Sequence, residues 1–142
     1  MSFKFTKTDI NKIAKTLDVT PIAEENHVKF ILDNKEAGRK LALEIYNQIP
    51  IGNSTGNLIS VYTSNSHLQL HFCSGYVVST MLGEVTFIGE DQDKLSGLTI
   101  EKQAACSLYS NVDKKLLSGD FTQLGPEVML SGIALSLTEH LL

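Results

Sequence analysis

The sequence predicts an α+β domain: a mostly antiparallel sheet of about four strands, with helices packed on one face and a helical C-terminal part. Three observations support this fold class. The stretch from Asn57 to Ile88 carries a period-two apolar pattern, typical of half-buried strands. Two earlier segments repeat apolar residues at helical spacing. The segment that follows Pro126 is apolar on most of a helical circumference, as expected of a buried helix.

The length of 142 residues fits a single domain that covers 1–142. The net charge of −4 and pI near 5.5 disfavour a nucleic-acid footprint, because phosphate binding needs a concentrated basic face. No apolar run has the length of a membrane span, and no signal peptide is evident, so we expect a cytoplasmic protein without membrane contact. Cys73 and Cys106 are far apart in sequence and are predicted to be free thiols.

The first predicted helix runs from about Thr8 to Leu17, with Thr8 or Asp9 as its N-cap. Its apolar residues recur at i, i+3, i+4 and i+7, and are Ile10, Ile13, Ala14 and Leu17. Pro21 restricts Thr20 and ends the pattern.

The residues from Asp9 to Thr20 resemble the first helix and turn of helix-turn-helix DNA-binding proteins. The resemblance implies DNA binding through the N-terminal helix, with a second helix that begins near Pro21. Glu24 and Glu25 would lie at the start of that second helix and would repel phosphate. DNA binding is therefore a weaker alternative, and nucleic acid is not the favoured partner.

A strand from His27 to Asp33 is predicted next, because Val28, Phe30 and Leu32 share one face. Asp33 and Glu36 then have the spacing of a capping box and predict a helix over 34–49 that Pro50 stops. The buried stripe of this helix would consist of Ala37, Leu41, Ala42, Ile45 and Ile49.

Three strands are predicted within one sheet, over 58–63, 67–73 and 76–87, with Gly83 as a candidate point of interruption in the last. The pattern over 99–109 favours a helix, although Ala104, Cys106 and Leu108 also alternate as in a strand. A short helical turn over 113–118 and a helix from Pro126 to the C-terminus complete the prediction.

The candidate binding residues lie on the predicted strand over 67–73. His67, Gln69, His71 and Cys73 share one face of it, and Tyr76 is a neighbour; this set is the predicted ligand-binding site. Same-face residues lie roughly 6.6 Å apart, so the two histidines are roughly 13 Å apart and cannot share one metal ion. We therefore predict no metal site, no catalytic residues and no cofactor.

The loop Gly52-Asn53-Ser54-Thr55-Gly56 matches the pattern Gly-x-Ser-x-Gly. A nucleophile elbow requires a strand before the serine and a helix after it. Here the predicted order is reversed, with a helix before and a strand after. We therefore interpret this segment as a connecting loop.

The favoured function is a non-enzymatic module that binds a protein partner or itself, with a homodimer as the simplest closed form. It follows from the very apolar C-terminal segment together with the lack of a catalytic set. The alternative is a ligand-binding or enzymatic domain whose pocket lies near the strand from His67 to Cys73, with Tyr62, Tyr76, Glu101 or Cys106 as possible neighbours.

Overall fold

The computed structural model describes residues 3–63, 66–91 and 94–113. They form two antiparallel sheets and one short helix. The elements are α1 Lys7–Leu17, β1 Ile22–Ala23, β2 Val28–Asn34, β3 Arg39–Ile51, β4 Ser54–Tyr62, β5 His67–His71, β6 Cys73–Ser79, β7 Glu84–Asp91, β8 Lys94–Glu101 and β9 Ala105–Asp113. The first sheet has the order β1-β2-β3-β4-β5 and the second has the order β6-β7-β8-β9.

The prediction of an α+β domain with one sheet under several helices is therefore wrong. The described chain is mostly antiparallel β-structure, and consecutive strands pair in both sheets. Every neighbouring pair within a sheet is joined by a short connection, as in a meander.

The helix predicted over 34–49 is instead the turn after β2 followed by β3. The Asn34 side chain accepts a hydrogen bond from the Ala37 N–H at 3.2 Å, and Gly38 has φ +66°, so the apparent capping box builds a tight turn. Beyond the turn, Leu41, Leu43 and Ile45 are buried at alternate positions. Pairing with β2 buries that alternation and overrides the helix propensity of the segment.

The helix predicted over 99–109 is also wrong, since this segment forms the β8–β9 hairpin. The turn over 102–104 contains Ala104 in the left-handed region, with φ +67°. Cys106 and Leu108 pair with Ile100 and Leu98 of β8. The alternating pattern therefore decides the structure of this segment.

The stretch from Asn57 to Ile88 does not lie in one sheet. The strands predicted over 58–63 and 67–73 correspond to β4 and β5 of the first sheet, and β6 and β7 belong to the second. Phe72 separates the two sheets with φ +57°, a backbone conformation that turns the chain sharply between β5 and β6. The interruption predicted at Gly83 is the β6–β7 turn, where φ is +65°.

One hydrophobic core joins the inner faces of the two sheets. It is built from alternating residues of the paired strands, and β5 contacts β7 and β8 while β4 contacts β6. Its fully buried large side chains are Ile13, Leu17, Phe30, Leu32, Leu41, Leu43, Ile59, Leu70, Phe87, Leu98 and Ile100. The predicted inward face of β2 is confirmed, because Phe30 and Leu32 are both fully buried.

The N-terminal helix is confirmed, and α1 packs on β6 and β7. Its N-cap is Thr6 rather than Thr8 or Asp9, and Asp9 completes a capping box with it. After the left-handed C-cap Asp18 the chain runs into β1, so the second helix of a helix-turn-helix unit is not formed. The apolar side of α1 faces the core.

The helical turn predicted over 113–118 extends beyond the described residues, and the helix predicted from Pro126 lies wholly outside them. Within the described ranges, no helix has the length and hydrophobicity needed to cross a membrane.

Candidate functional site

The outer face of the first sheet carries most of the ordered aromatic and imidazole side chains that point away from the core. We define the outer face by residues of β3, β4 and β5 that alternate with the buried ones, together with His27 just before β2. These residues are His27, Glu44, Tyr46, Ser60, Tyr62, His67, Gln69 and His71. The strand register places them side by side, because Glu44 pairs with Ser60, Ser60 with Gln69, and Tyr62 with His67.

Tyr62 and His67 form a stacked pair across β4 and β5. Their ring centroids lie 4.1 Å apart and the ring planes differ by 11°. The Nε2 atom of His67 lies 2.8 Å from the Ser60 hydroxyl, which fixes the imidazole orientation. Tyr62 is nevertheless 41% exposed, so this ordered ring pair is presented to solvent.

His27 and Tyr46 form a second stacked pair, with centroids 4.6 Å apart. The Tyr46 hydroxyl donates to Glu44 Oε1 at 3.0 Å, and His27 Nε2 lies 3.3 Å from Glu44 Oε2. Burial, the hydrogen bond to Glu44 and the charge of that carboxylate raise the pKa of Tyr46 to about 12. The phenol therefore remains a hydrogen-bond donor over the physiological pH range.

The Ser60–His67 contact has the spacing of a nucleophile and its base. Ser60 is only 1% exposed, however, because the larger side chains around it cover the hydroxyl. A carbonyl carbon cannot reach that oxygen, and a nucleophile must be accessible to its substrate. The pair orders the imidazole and does not form a catalytic site.

The structure brings together only part of the predicted ligand-binding set. His67, Gln69 and His71 lie on the exposed side of β5, and His71 Nε2 lies 3.3 Å from Gln69 Oε1. Cys73 lies in the core after the turn at Phe72, and burial raises the pKa of its thiol to about 12.

Tyr76 lies on the inner side of the second sheet, opposite Phe87. Its hydroxyl donates to Asp9 Oδ1 at 2.6 Å, and this hydrogen bond is the largest of the effects that lower the pKa of Asp9. Burial and the Asp9 carboxylate raise the pKa of Tyr76. A ligand-binding role for the predicted set remains a prediction, but Cys73 and Tyr76 do not share a surface with the two histidines.

A second polar group, absent from the sequence prediction, lies where β3 and β4 meet the N-terminal segment. We call Asn47, Gln48 and Asn57 the amide cluster. A β-bulge between Tyr46 and Ile49 places Asn47 and Gln48 there, and Gln48 has φ +47°. Asn57 is 2% exposed and bonds to the Gln48 N–H and to the Cys73 carbonyl at 3.0 Å each.

Two cavities accompany these features. One, of about 310 Å³, adjoins the amide cluster and Phe3 and is lined also by Thr55, Gly56, Phe72 and Ser74. A wider depression of about 610 Å³ lies between the end of α1 and the turns after β2 and β8. It is lined by Lys35 and Lys102 together with three carboxylates, so groups of both charge signs surround it.

No group of three or more His, Cys, Asp or Glu side chains within the described ranges is arranged to hold a metal ion. Comparisons of the chain with protein-family models, with curated proteins and with solved structures return no match.

Proposed function

We propose that this chain is a non-enzymatic module that binds a protein partner, or a second copy of itself, through the outer face of the first sheet. One observation carries the proposal: two stacked histidine–tyrosine pairs are held in fixed orientations on the side of the first sheet that faces away from the core, and the Tyr62–His67 pair is exposed to solvent. Tyrosine is enriched in protein interfaces and among the residues that dominate their binding energy.

The order of these rings supports binding, because association costs free energy for each side chain that it immobilises. Tyr46 and His27 are already held by Glu44, and His67 is held by Ser60 and Tyr62. A partner that covers this face therefore gains ring contacts without first having to order these side chains.

The charges on this side of β2 and β3 favour a protein partner over a nucleic acid. Lys29 pairs across the strands with Glu44, and Asp33 pairs with Lys40. Opposite charges therefore alternate there and do not form the continuous basic stripe that phosphate backbones require.

The proposal is tested by comparing two exposed apolar side chains, one on the outer face and one on the second sheet. Tyr62 is 41% exposed on the outer face, and Leu82 is 56% exposed in the turn between β6 and β7. Tagged wild-type chain, Tyr62→Ser and Leu82→Ser are each used to recover binding proteins from the native cell extract, and one recovered partner is then titrated in purified form. We expect Tyr62→Ser to weaken that affinity at least about tenfold, and Leu82→Ser to leave it within about twofold.

Sedimentation of the purified chain at micromolar concentration separates self-association from binding to another protein. A dimer that Tyr62→Ser dissociates and Leu82→Ser preserves supports the version with a second copy. The proposal fails if the chain is a strict monomer and no purified partner binds it, or if Tyr62→Ser binds as tightly as wild type.

A further inference from the structure

We infer that the amide cluster is a peptide-binding groove that the chain closes with its own Phe3–Phe5 segment and that accepts an extended Phe-x-Phe segment of a partner protein. The site lies at the bulge of β3 and the adjoining part of β4 and is distinct from the outer face. It adds a second binding site and does not rest on the function proposed above.

The amide cluster recognises the backbone of the N-terminal segment. Asn47 bonds to both backbone groups of Phe5: its Oδ1 accepts from the N–H at 2.9 Å and its Nδ2 donates to the carbonyl at 2.8 Å. Gln48 Nε2 and Asn57 Nδ2 both donate to the Phe3 carbonyl, at 3.1 Å and 2.8 Å. Side-chain amides thus satisfy the backbone groups of the segment, in place of the main-chain ladder that an edge strand supplies when a peptide is added to a sheet.

The groove also selects side chains at alternate positions. The Phe3 and Phe5 rings meet edge to face with centroids 4.9 Å apart. Phe5 stacks on Tyr76 at 5.8 Å and packs near Phe87 at 6.1 Å, where it is 3% exposed. Lys4 between them is exposed. The ligand is therefore an extended segment with aromatic residues at i and i+2 and an unrestricted residue between them.

The groove keeps internal bonds that do not involve the N-terminal segment. Asn57 accepts from both the backbone and the side-chain amide of Gln48 at 3.0 Å, and it donates to the Cys73 carbonyl. The side-chain amides of Gln48 and Asn57 in the groove are thus held in position by bonds within the sheets, without the N-terminal segment. A cavity of about 310 Å³ adjoins the groove, between Phe3, Gln48 and Asn57.

The chain's own segment competes with such a ligand. Phe5 is followed at once by the N-cap Thr6 of α1, so the tether is short and the local concentration of the segment is high, about millimolar or above. The apparent affinity for an added peptide equals the affinity of the open groove multiplied by the fraction of chains in which the groove is open. Weakening the segment must therefore strengthen binding of the peptide.

The test uses the full chain and a dye-labelled, acetylated peptide with the sequence Ser-Phe-Lys-Phe-Thr-Lys, titrated by fluorescence anisotropy. Phe3→Ala, the opening variant, weakens the closing segment because it removes the ring that contacts Phe5 and Tyr76. Phe3→Ala combined with Asn47→Asp keeps the shape of residue 47 while removing its donor to the peptide carbonyl. A peptide with adjacent phenylalanines, Ser-Lys-Phe-Phe-Thr-Lys, controls for non-specific apolar binding. Circular dichroism confirms folding, and Phe3→Leu replaces Phe3→Ala should that variant fail to fold.

We expect Phe3→Ala to bind the Phe-x-Phe peptide at least about tenfold more tightly than wild type does, because the competing segment is weakened. Adding Asn47→Asp to Phe3→Ala should weaken the affinity for the Phe-x-Phe peptide at least about tenfold. The peptide with adjacent rings should bind to Phe3→Ala at least about tenfold more weakly than the Phe-x-Phe peptide does. Equal binding to wild type and the folded opening variant, or equal binding with and without Asn47→Asp, overturns the inference.

Discussion

The amide cluster and the outer face are two groups of side chains on the first sheet, and they differ in burial. Asn57 is buried, and its side chain bonds to groups from β3, β6 and the N-terminal segment. Tyr62 and Gln69 are exposed, and their cross-strand neighbours lie on the outer face. We therefore expect the loss of Asn57 to reduce stability, and the loss of an exposed outer-face side chain to affect binding more than stability.

The largest expected effect is that of Asn57→Ala. The substitution leaves the Gln48 N–H and the Cys73 carbonyl in a buried site without this partner, so we expect a loss of roughly 2–4 kcal/mol in the free energy of unfolding. Urea denaturation measures it. Gln69→Ala, which removes an exposed amide from the outer face, is the control and should change stability by less than about 0.5 kcal/mol. Equal effects of the two variants would remove the distinction between the regions.

A smaller effect is expected where the two sheets approach each other, at the contact between β5 and β7. A Cβ atom on Gly89 would lie 2.9 Å from the His71 carbonyl oxygen and 3.1 Å from Leu70 Cδ1. Because the first contact is with backbone, Gly89→Ala must shift the strands, and we expect a loss of about 1–3 kcal/mol in urea denaturation. Gly75→Ala, with no atom within 4 Å, is the matched control and should be neutral or slightly stabilising. A tolerated Gly89→Ala would contradict this packing of the two sheets.

The smallest effect concerns the Tyr76–Asp9 bond beneath the N-terminal segment. Tyr76→Phe should cost about 1 kcal/mol near neutral pH, a value kept low because Asp9 is only half-buried and solvent screens its carboxylate. The pKa of Asp9 is lowered in the folded state, so this stabilisation is present above its ordinary value of 3.8 and is lost as the pH falls through the lowered value.

Urea denaturation at about pH 7 and about pH 2.5 should therefore show a difference between wild type and Tyr76→Phe that shrinks in acid. Tyr62→Phe on the outer face is the control and should change stability by less than about 0.5 kcal/mol at either pH. A difference for Tyr76→Phe that does not depend on pH would show that the hydroxyl acts on something other than the Asp9 carboxylate.

Local patterns predicted the elements whose determinants lie close together in the sequence. The stripe over α1 and the alternation of Phe30 and Leu32 in β2 are examples. The segment of β3 was predicted as a helix because Leu41 and Ile45 fit both periods, whereas Leu43, between them, fits only a strand. The apparent capping box gave a wrong signal for the start of a helix. The hydrogen bond from the Ala37 N–H to the Asn34 side chain shows that polar side chains at this spacing also form a turn.

The candidate sites were predictable to different extents. Period-two spacing correctly placed His67, Gln69 and His71 on one face of a strand. It also assigned Cys73 to that face, which is wrong, because the spacing does not show that Phe72 turns the chain. The amide cluster gave no local signal. Its bonds to Phe3 and Phe5 join residues 42 to 54 positions apart, and a bulge directs two of its side chains.

The same separation imposes an order on folding. The aromatic N-terminal segment is synthesised before its partners, and its set of side-chain hydrogen bonds is complete only when the chain has reached Asn57, 54 residues after Phe3. The hairpins of each sheet join neighbouring strands and close over short loops, so they form early, whereas contacts between distant residues pay their loop-closure entropy first. We therefore expect Phe3 and Phe5 to dock late, onto strands that have already paired, and their rings to stay exposed to solvent until then.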